Sequence, residues 1–221
     1  MSRQLIDLSH KIEDGMITYR GLPAPHICDY WTREASAANY DDGSSFQIGE
    51  ITLVANTGTY LDAPSHRFAD GADLSQLELG TLAGLPGVLV RAPEAVLAID
   101  ESYFQGLDLA GKAVLVHTGW NRHWRTEAYF ENHPYLTATA ADYLAEAGVR
   151  LVGIDSYNID NTAERRRPVH TRLLKDGIPI CEHLTNLDQL PENQPFRFTA
   201  VPPKIVGMRT FPVRAFAEIL S

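Results

Sequence analysis

The most informative segment of the chain, residues 56–66, reads Asn56-Thr57-Gly58-Thr59-Tyr60-Leu61-Asp62-Ala63-Pro64-Ser65-His66. It follows an apolar, β-branched run at residues 51–55 that predicts a strand. Gly58 and Pro64 interrupt strands, so we expect the polar side chains to lie where this strand passes into a loop. Asp62 offers a hard oxygen ligand or a base, and His66 offers an imidazole, which can bind a metal or transfer a proton. Rigid scaffolds commonly present functional groups at such a point.

A purely structural interpretation competes with this one. Loops favour Asp and Pro for their conformation alone, so Asp62 could simply cap the next segment and His66 could be an ordinary surface residue. The segment by itself does not decide between the two, and the rest of the chain must be considered.

Five residues of the segment match, in register, the pattern His-x-Gly-Thr-His-x-Asp-x-Pro-x-His: Gly58, Thr59, Asp62, Pro64 and His66. This pattern is typical of the metal-dependent cyclase family, which includes bacterial kynurenine formamidases and isatin hydrolases. The chain resembles that family through further motifs in the same order. They are Ile6-Asp7-Leu8-Ser9-His10, Thr118-Gly119-Trp120, Gly153-Ile154-Asp155, Pro168-Val169-His170 and Ile178-Pro179-Ile180-Cys181-Glu182-His183-Leu184. Several ordered motifs are more specific than any single one.

The resemblance implies an α/β fold of the swivelling β/α/β type, with residues 1–221 as a single domain. It also implies a metal centre completed by a histidine and a glutamate from the last third of the chain. Those two residues fall on His170 and Glu182. Together with Asp62 they form a predicted set of three metal ligands, which leaves a coordination position open for water.

The chain departs from the family pattern at two positions. Asn56 and Tyr60 stand where the pattern has its first two histidines, so one metal position lacks its nitrogen ligands. We therefore expect one divalent ion per chain, bound by Asp62, His170 and Glu182, with the Asn56 amide oxygen as a further ligand. This oxygen-rich set favours manganese or magnesium and still permits zinc.

The resemblance predicts a hydrolase that acts on the C–N bond of an aryl formamide, a cyclic amide or a similar small acyl substrate. The ion would activate water and polarise the carbonyl group, and His66 would carry the proton from the nucleophile to the leaving group. Tyr60 either donates to the developing oxyanion or only lines the wall of the pocket. Two alternatives stay open: a lactone hydrolase or dehydrating cyclase with the same site, and a metal-free homologue that binds a small molecule.

Composition and charge limit the partners of the protein. The chain has 28 acidic and 19 basic residues and a formal net charge of −9, which makes nucleic acid an unexpected partner because phosphate binding requires a basic surface. No segment approaches the roughly 18 consecutive apolar residues of a membrane span.

The two cysteines, Cys28 and Cys181, lack C-x-x-C spacing, and the N-terminal residues lack the apolar core of a signal peptide. We therefore expect a cytoplasmic protein.

Two further segments bear on partners. Residues 16–31 are rich in aromatic residues and proline without clear periodicity; in the family such an N-terminal arm contributes to the substrate pocket and to packing between subunits. We therefore expect a homodimer or a higher homo-oligomer, although a long stabilising loop is an alternative. Arg165, Arg166 and Arg167 form the one basic cluster, which is either a solvated loop face, an attractor for an anionic substrate or a subunit contact.

Strand-like and helix-like runs alternate along the chain. Predicted strands cover residues 5–8, 47–55, 87–91, 113–117, 149–154 and 179–182. Thr139 is predicted to cap a helix that ends at residue 147. A second helix is predicted from Pro168 to Gly177, which places His170 in its opening turn. There the positive helix terminus would favour the neutral imidazole that a metal requires.

Overall fold

The structure, a computed structural model, describes residues 4–192 and 194–220. Its strands are β1 Gln4–Asp7, β2 His26–Trp31, β3 Ile48–Thr52, β4 Tyr60–Asp62, β5 Leu85–Arg91, β6 Ala98–Ile99, β7 Ala113–His117, β8 Tyr135–Leu136, β9 Leu151–Ile154, β10 Ile180–Glu182, β11 Phe196–Thr199, β12 Thr210–Pro212 and β13 Phe216–Ile219. Its α-helices are α1 Arg33–Ala37, α2 Ala138–Glu146 and α3 Pro168–Lys175.

Nine of these strands form one mixed sheet in the order β1-β13-β11-β5-β7-β9-β10-β4-β12. The central strands β5, β7, β9 and β10 run parallel, and antiparallel strands flank them on both sides. Parallel strands must be covered on both faces, and β7 is apolar from Ala113 to Val116 for this reason. The predicted α/β fold class is confirmed.

Each face of the sheet packs into its own core. Ala113 and Leu115 belong to one hydrophobic cluster, whereas Val114 and Val116 belong to the other, because successive side chains on a strand point to opposite faces. Residues of α2 and α3 belong to the second cluster, so these helices cover that face. We call it the helical face; it is the face that carries the candidate site.

Strand β4 decides where the site residues lie. It pairs with β10 on one side and β12 on the other, so that Tyr60 lies opposite Glu182 and Asp62 lies opposite Thr210. Residues two apart on a strand share a face, and directly paired residues share it as well. Tyr60, Asp62, Glu182 and Thr210 therefore project from the same side of the sheet, which is the helical face because Ile180, opposite Asp62, belongs to the helical core.

The expectation that residues 56–66 form a loop directly after a strand at residues 47–55 is wrong. The strand expected at residues 47–55 ends at Thr52 and pairs with β2 in a separate two-stranded sheet. Asp62 does not lie at the exit of that strand; it belongs to β4, inside the large sheet. Gly58 makes the turn between the two, with φ of 67°, and a Cβ there would also lie 2.9 Å from Ile12.

The two predicted helices are present with shifted ends. Helix α2 is capped by Thr137 and not by Thr139, because the Thr137 hydroxyl accepts from the backbone N–H of Ala140. Helix α3 begins at Pro168 as predicted and ends at Lys175, and its residues His170, Leu173 and Leu174 are buried.

Strands β2 and β3 form a two-stranded arm outside the nine-stranded sheet. Most of its residues are exposed, including the apolar pair Ile27 and Ile51, which face each other across the arm. Among the described residues, no helix has the length and apolar character needed to cross a bilayer.

Candidate metal centre

Ligand-type side chains from three parts of the chain converge beside α3. One ligand atom from each of Asp62, His66 and His170 lies within 4.8 Å of the other two. His170 Nε2 lies 3.5 Å from Asp62 Oδ2 and 3.7 Å from Glu182 Oε1. The predicted ligands Asp62 and Glu182 thus both lie beside the third, His170, and the group of mutually close ligand atoms contains His66 in place of Glu182.

His170 is held in place by a residue that sequence analysis did not single out. Asp160 accepts hydrogen bonds from the backbone N–H groups of Val169 (2.8 Å) and His170 (3.0 Å) in the first turn of α3. Its Oδ2 also lies 2.6 Å from His170 Nδ1. Asp160 therefore supplies the side-chain cap that Arg167, at the N-cap position, does not provide. It also fixes the imidazole so that Nε2 faces the other ligands, as carboxylates do for metal-binding histidines.

Two hydroxyl groups orient the carboxylates from the neighbouring strand positions. The Tyr60 hydroxyl donates to Glu182 Oε2 at 2.5 Å, and the Ile159 N–H donates to Glu182 Oε1 at 2.6 Å. The Thr210 hydroxyl donates to Asp62 Oδ1. Because Tyr60 is 1% exposed and its proton is used by Glu182, its ring lines the cavity while its hydroxyl orients a carboxylate.

Thr210 also determines the tautomer of His66. A hydroxyl group can donate one hydrogen bond. The Thr210 hydroxyl donates its hydrogen bond to Asp62 Oδ1, because an ionised carboxylate has no proton to donate. Thr210 Oγ1 must then accept from His66 Nδ1, which lies 2.9 Å away. A neutral His66 that carries its proton on Nδ1 has a free lone pair on Nε2, and the side chain lines the cavity. His66 is therefore set up to accept a proton or to bind an ion.

The donor set fits a divalent cation. Asp62 Oδ2 is buried and accepts no hydrogen bond, and its contact with His170 Nε2 at 3.5 Å is a long one, so a bound cation would stabilise this oxygen. Asp62, Asp160 and Glu182 are all fully buried and surround a single imidazole, so the site has an excess of negative charge. Carboxylate oxygens with one imidazole suit manganese, magnesium or zinc.

The pKa values reflect this excess of negative charge. Burial alone would lower the pKa of His170, but Glu182, Asp160 and Asp62 raise it to about 10. Burial raises the pKa of Glu182 to about 7, with a contribution from Asp62. Burial would also raise the pKa of Asp62, yet His170, His66 and Thr210 hold it below its usual value. The expectation that the helix terminus would keep His170 neutral is therefore wrong for the metal-free protein, because the carboxylates outweigh the helix terminus.

A cavity of about 290 Å³ opens onto these groups. Besides the cluster and Tyr60, it is lined by Asn56, Asn158, two arginines (Arg67 and Arg167) and two residues of the N-terminal segment (Tyr19 and Leu22). Asn56 thus lies in the wall of the same cavity as the predicted ligands. Such a volume accommodates a small single-ring molecule.

The chain matches a known protein family. The family model described as a putative cyclase matches residues 6–161, which is more than half of the chain. The chain belongs to the cyclase family. This confirms the membership that the sequence motifs predicted.

Relatives of this cyclase-family protein cover nearly its whole length. The kynurenine formamidase of Geobacillus thermodenitrificans is 31% identical over 217 residues, which are 97% of each chain. The kynurenine formamidase of Bacillus cereus is 28% identical over 211 residues, which are 95% of each chain.

Solved structures share the fold. A potential metal-dependent hydrolase with cyclase activity superposes with a TM-score of 0.81 at 26% identity and covers 100% of both chains. An isatin hydrolase bound to thioisatinate superposes with a TM-score of 0.81 at 21% identity, covering 99% of this chain and 93% of its own, and supports the fold alone.

Sequence analysis missed Asp160 and Thr210. Asp160 lies several residues before the N-cap position, Arg167, so the residue preferences for helix caps do not point to it. The sequence gives no signal for Thr210 either, because its role comes from strand β12 lying beside β4, and a three-residue strand leaves no periodicity to detect.

We predict that ion binding releases protons at pH 7. His170 carries a proton there in the metal-free protein because its pKa is about 10, and it must lose that proton to bind an ion. Glu182, with a pKa of about 7, contributes part of a second proton. Apparent affinity for manganese should rise roughly tenfold per pH unit from pH 7 to pH 8. Titration calorimetry in buffers of different ionisation enthalpy measures the release, and equal heats in all buffers would contradict the prediction.

We also predict that the two hydroxyl groups strengthen ion binding. Tyr60→Phe and Thr210→Val each remove a hydrogen bond that orients a carboxylate, and each should weaken binding roughly 10-fold to 100-fold. Competition with a chromophoric chelator measures the affinity. Thr210→Ser keeps the hydroxyl and is the matched control, which should bind like the wild type. Wild-type affinity in both Tyr60→Phe and Thr210→Val would show that the hydroxyl groups do not contribute.

Proposed function

We propose that the protein hydrolyses the C–N bond of a small aryl formamide or cyclic amide with the help of one divalent ion held by Asp62, His170 and Glu182. The observation that supports this most directly is the orphaned, buried Asp62 Oδ2, which lies 3.5 Å from a histidine nitrogen that Asp160 orients toward it. The relatives named kynurenine formamidase confirm the class of enzyme, an amide hydrolase. The ligand assignment is our proposal.

When bound, the ion would lower the pKa of a water molecule and polarise the substrate carbonyl. Asp62 and Glu182 balance its charge, His170 supplies a nitrogen, and Asn56 offers an amide oxygen from the cavity wall. Asp160, Thr210 and Tyr60 keep these groups oriented.

His66 is the proposed acid-base catalyst. Its Nε2 accepts a proton from water as the water oxygen bonds to the carbonyl carbon. The same proton then passes to the amide nitrogen as the C–N bond breaks, which releases the amine and leaves the acyl group as an acid. Thr210 holds Nδ1 throughout, so the basic nitrogen stays on the cavity side.

The structure favours one variation on this scheme. Because a ligand atom of His66 lies within 4.8 Å of those of Asp62 and His170, it could bind the ion instead of moving protons. A site with two histidines would shift selection toward zinc, whereas a site with one histidine and oxygen ligands favours manganese or magnesium. The role of His66 and the identity of the metal are therefore linked, and the ion content of His66→Ala tests whether His66 is a ligand.

We predict close to one ion per purified chain, lost in Asp62→Ala and His170→Ala because each removes a ligand. In His66→Ala the ion should remain while kcat for formanilide falls roughly 100-fold to 10,000-fold. Elemental analysis measures the ion content, and a panel of formanilide, isatin and simple lactones measures the activity.

Loss of the ion in His66→Ala would show that His66 is a ligand. Lactones opened while formanilides stay intact would favour a lactonase, and a wild type that binds no ion would indicate a metal-free binding protein.

We infer a cytoplasmic location, as the sequence suggested. Both cysteines are free thiols, Cys181 buried in the core and Cys28 half-buried, which suits a reducing compartment.

We further propose that the protein forms a homodimer through the two-stranded arm formed by β2 and β3. Ile27 is 40% exposed, Ile51 is 51% exposed and Tyr30 is 71% exposed, so the arm presents apolar surface in a chain that is otherwise acidic. Ile27 and Ile51 are paired across the arm, and exposed apolar surface shared by two strands is typical of an interaction site.

Dimerisation through the arm predicts that Ile27→Asp and Ile51→Asp are monomeric, because each would bury an unpaired charge in the interface. Val206→Asp is the matched control: Val206 is 84% exposed and lies outside the arm, so this variant should stay dimeric. Light scattering coupled to size exclusion measures the mass. A monomeric wild type, or dimeric arm variants, would contradict the proposal.

A further inference from the structure

The side-chain amide of Asn158 lies in the wall of the catalytic cavity and has no role in the scheme above. We propose that its Nδ2 donates a hydrogen bond to the carbonyl oxygen of the substrate as that oxygen gains negative charge during the reaction. This inference rests on the proposed function and adds a catalytic residue to it, because Asn158 would contact the acyl group that reacts.

The reaction calls for a hydrogen-bond donor that the other residues do not supply. The carbonyl oxygen becomes negative when the water oxygen bonds to its carbon, and a donor already in place there stabilises the charge. The sequence suggested Tyr60 for this role, but the Tyr60 hydroxyl donates to Glu182. Asn56 also lines the cavity, yet its amide oxygen is a proposed ligand of the ion. Asn158 is the other amide side chain in the cavity wall.

The backbone fixes the direction of the Asn158 amide. The Asp160 N–H group donates to Asn158 Oδ1 at 3.0 Å, and an N–H group can only donate, so the atom that faces it is the amide oxygen. Nδ2 therefore lies at the other end of the planar amide, toward Tyr19. Asn158 is 5% exposed, so the surrounding protein holds the amide in this orientation before a substrate arrives.

Asn158 Nδ2 has hydrogen-bonding capacity that the protein leaves unused. It carries two N–H groups, and its one acceptor among the described residues is the Tyr19 hydroxyl, at 3.5 Å. An ordinary N–H···O bond is about 3.2 Å or shorter, so this contact is weak. A buried donor without a good acceptor is unfavourable. A carbonyl oxygen of a molecule in the cavity would supply the acceptor.

Asn158 belongs to a three-residue segment that also orients the proposed ligands. The N–H group of Ile159 donates to Glu182 Oε1 at 2.6 Å, and Asp160 Oδ2 lies 2.6 Å from His170 Nδ1. Asn158 therefore directly precedes the backbone that borders the ion position, and its side chain lines the same cavity. A substrate whose carbonyl group faces the ion position also lies beside this amide.

A neutral donor suits the charge of this site. Asp62 and Glu182 are the proposed carboxylate ligands, and a cationic donor beside them would compete with the ion for their charge. An amide donates without a net charge and leaves that balance intact. Hydrogen bonds become stronger when the acceptor becomes charged, so the amide stabilises the transition state more than the bound substrate.

The first test is Asn158→Ser, which removes the amide donor and keeps a hydroxyl that can accept from the Asp160 N–H group in a similar turn. For formanilide, or for the amide that the wild type hydrolyses fastest, kcat should fall roughly 100-fold to 1,000-fold. KM should change less than about threefold, because the bond strengthens only in the transition state. Ion content should stay at the wild-type value. Wild-type kcat would overturn the proposal, and loss of the ion would make Asn158 a structural support of the ligands instead.

Asn158→Asp provides a second variant in case Asn158→Ser fails to fold. The aspartate keeps the shape of the side chain and the oxygen that accepts from Asp160, but when ionised it has no N–H group to donate. A folded Asn158→Asp protein should therefore also lose kcat at least roughly 100-fold. Wild-type kcat in this variant would overturn the proposal.

Two further variants separate the donor role from a structural one. Asn161→Ser is the matched control: Asn161 Oδ1 accepts from the Ala163 N–H group at 3.0 Å in the same local arrangement, but Asn161 lines a different cavity. Its kcat should equal that of the wild type, and a loss equal to that in Asn158→Ser would overturn the proposal. Tyr19→Phe removes the weak acceptor of Asn158 and should lower kcat less than about tenfold. A loss as large as in Asn158→Ser would show that Asn158 acts by holding Tyr19.

Binding of trifluoroacetophenone, whose hydrate resembles the tetrahedral stage of the reaction, separates this inference from the proposed function. Calorimetry with the ion-loaded protein should show binding at least roughly tenfold weaker in Asn158→Ser than in the wild type. If this loss is found while no amide is hydrolysed, the donor stands and the proposed reaction falls. If both proteins hydrolyse amides equally and bind the ketone equally, the reaction stands and the donor falls. A wild type that neither hydrolyses amides nor binds the ketone would overturn both.

Discussion

The site depends on one electrostatic constraint: three buried carboxylates, those of Asp62, Asp160 and Glu182, surround the imidazole of His170. Buried negative charges at such short range are unfavourable unless a cation lies among them. In the metal-free protein the proton on His170 fills this need, which explains why its pKa lies at about 10 in spite of complete burial. A divalent ion would replace that proton and satisfy the orphaned Asp62 Oδ2 as well. Metal binding and proton release are therefore two aspects of the same charge requirement.

The sheet register gives this charge cluster its geometry. Because β4 lies between β10 and β12, each carboxylate on one strand faces a hydroxyl on the next: Glu182 faces Tyr60, and Asp62 faces Thr210. The hydroxyl groups occupy one oxygen of each carboxylate and leave Glu182 Oε1 and Asp62 Oδ2 near His170 Nε2. Second partners of this kind fix ligands before the ion arrives and so reduce the entropy lost on binding.

The first turn of α3 connects the ion site to the wall of the cavity. It carries His170, it is capped by Asp160, and Arg67 and Arg167 lie beside it. The proposed metal ligand and part of the cavity lining therefore belong to the same helical turn. A fixed distance between an ion and the walls around it allows a small cavity to orient a substrate for reaction.

The sequence alone determined the fold class, the start of α3 and the family, because these depend on local periodicity, on proline and on ordered motifs. It also singled out Asp62, His170 and Glu182, and the structure places Asp62 and Glu182 beside His170.

The tertiary structure decided which other residues contact these three side chains. Thr210 became a partner of Asp62 only because β12 lies beside β4, and Tyr60, considered as an oxyanion donor, faces Glu182 across a strand pair 122 residues apart in sequence. The pKa of His170 is raised because folding places three carboxylates around it, and this effect outweighs that of its position in the helix. Strands of three residues and contacts across the chain leave no local pattern, so their consequences become visible only once the sheet has formed.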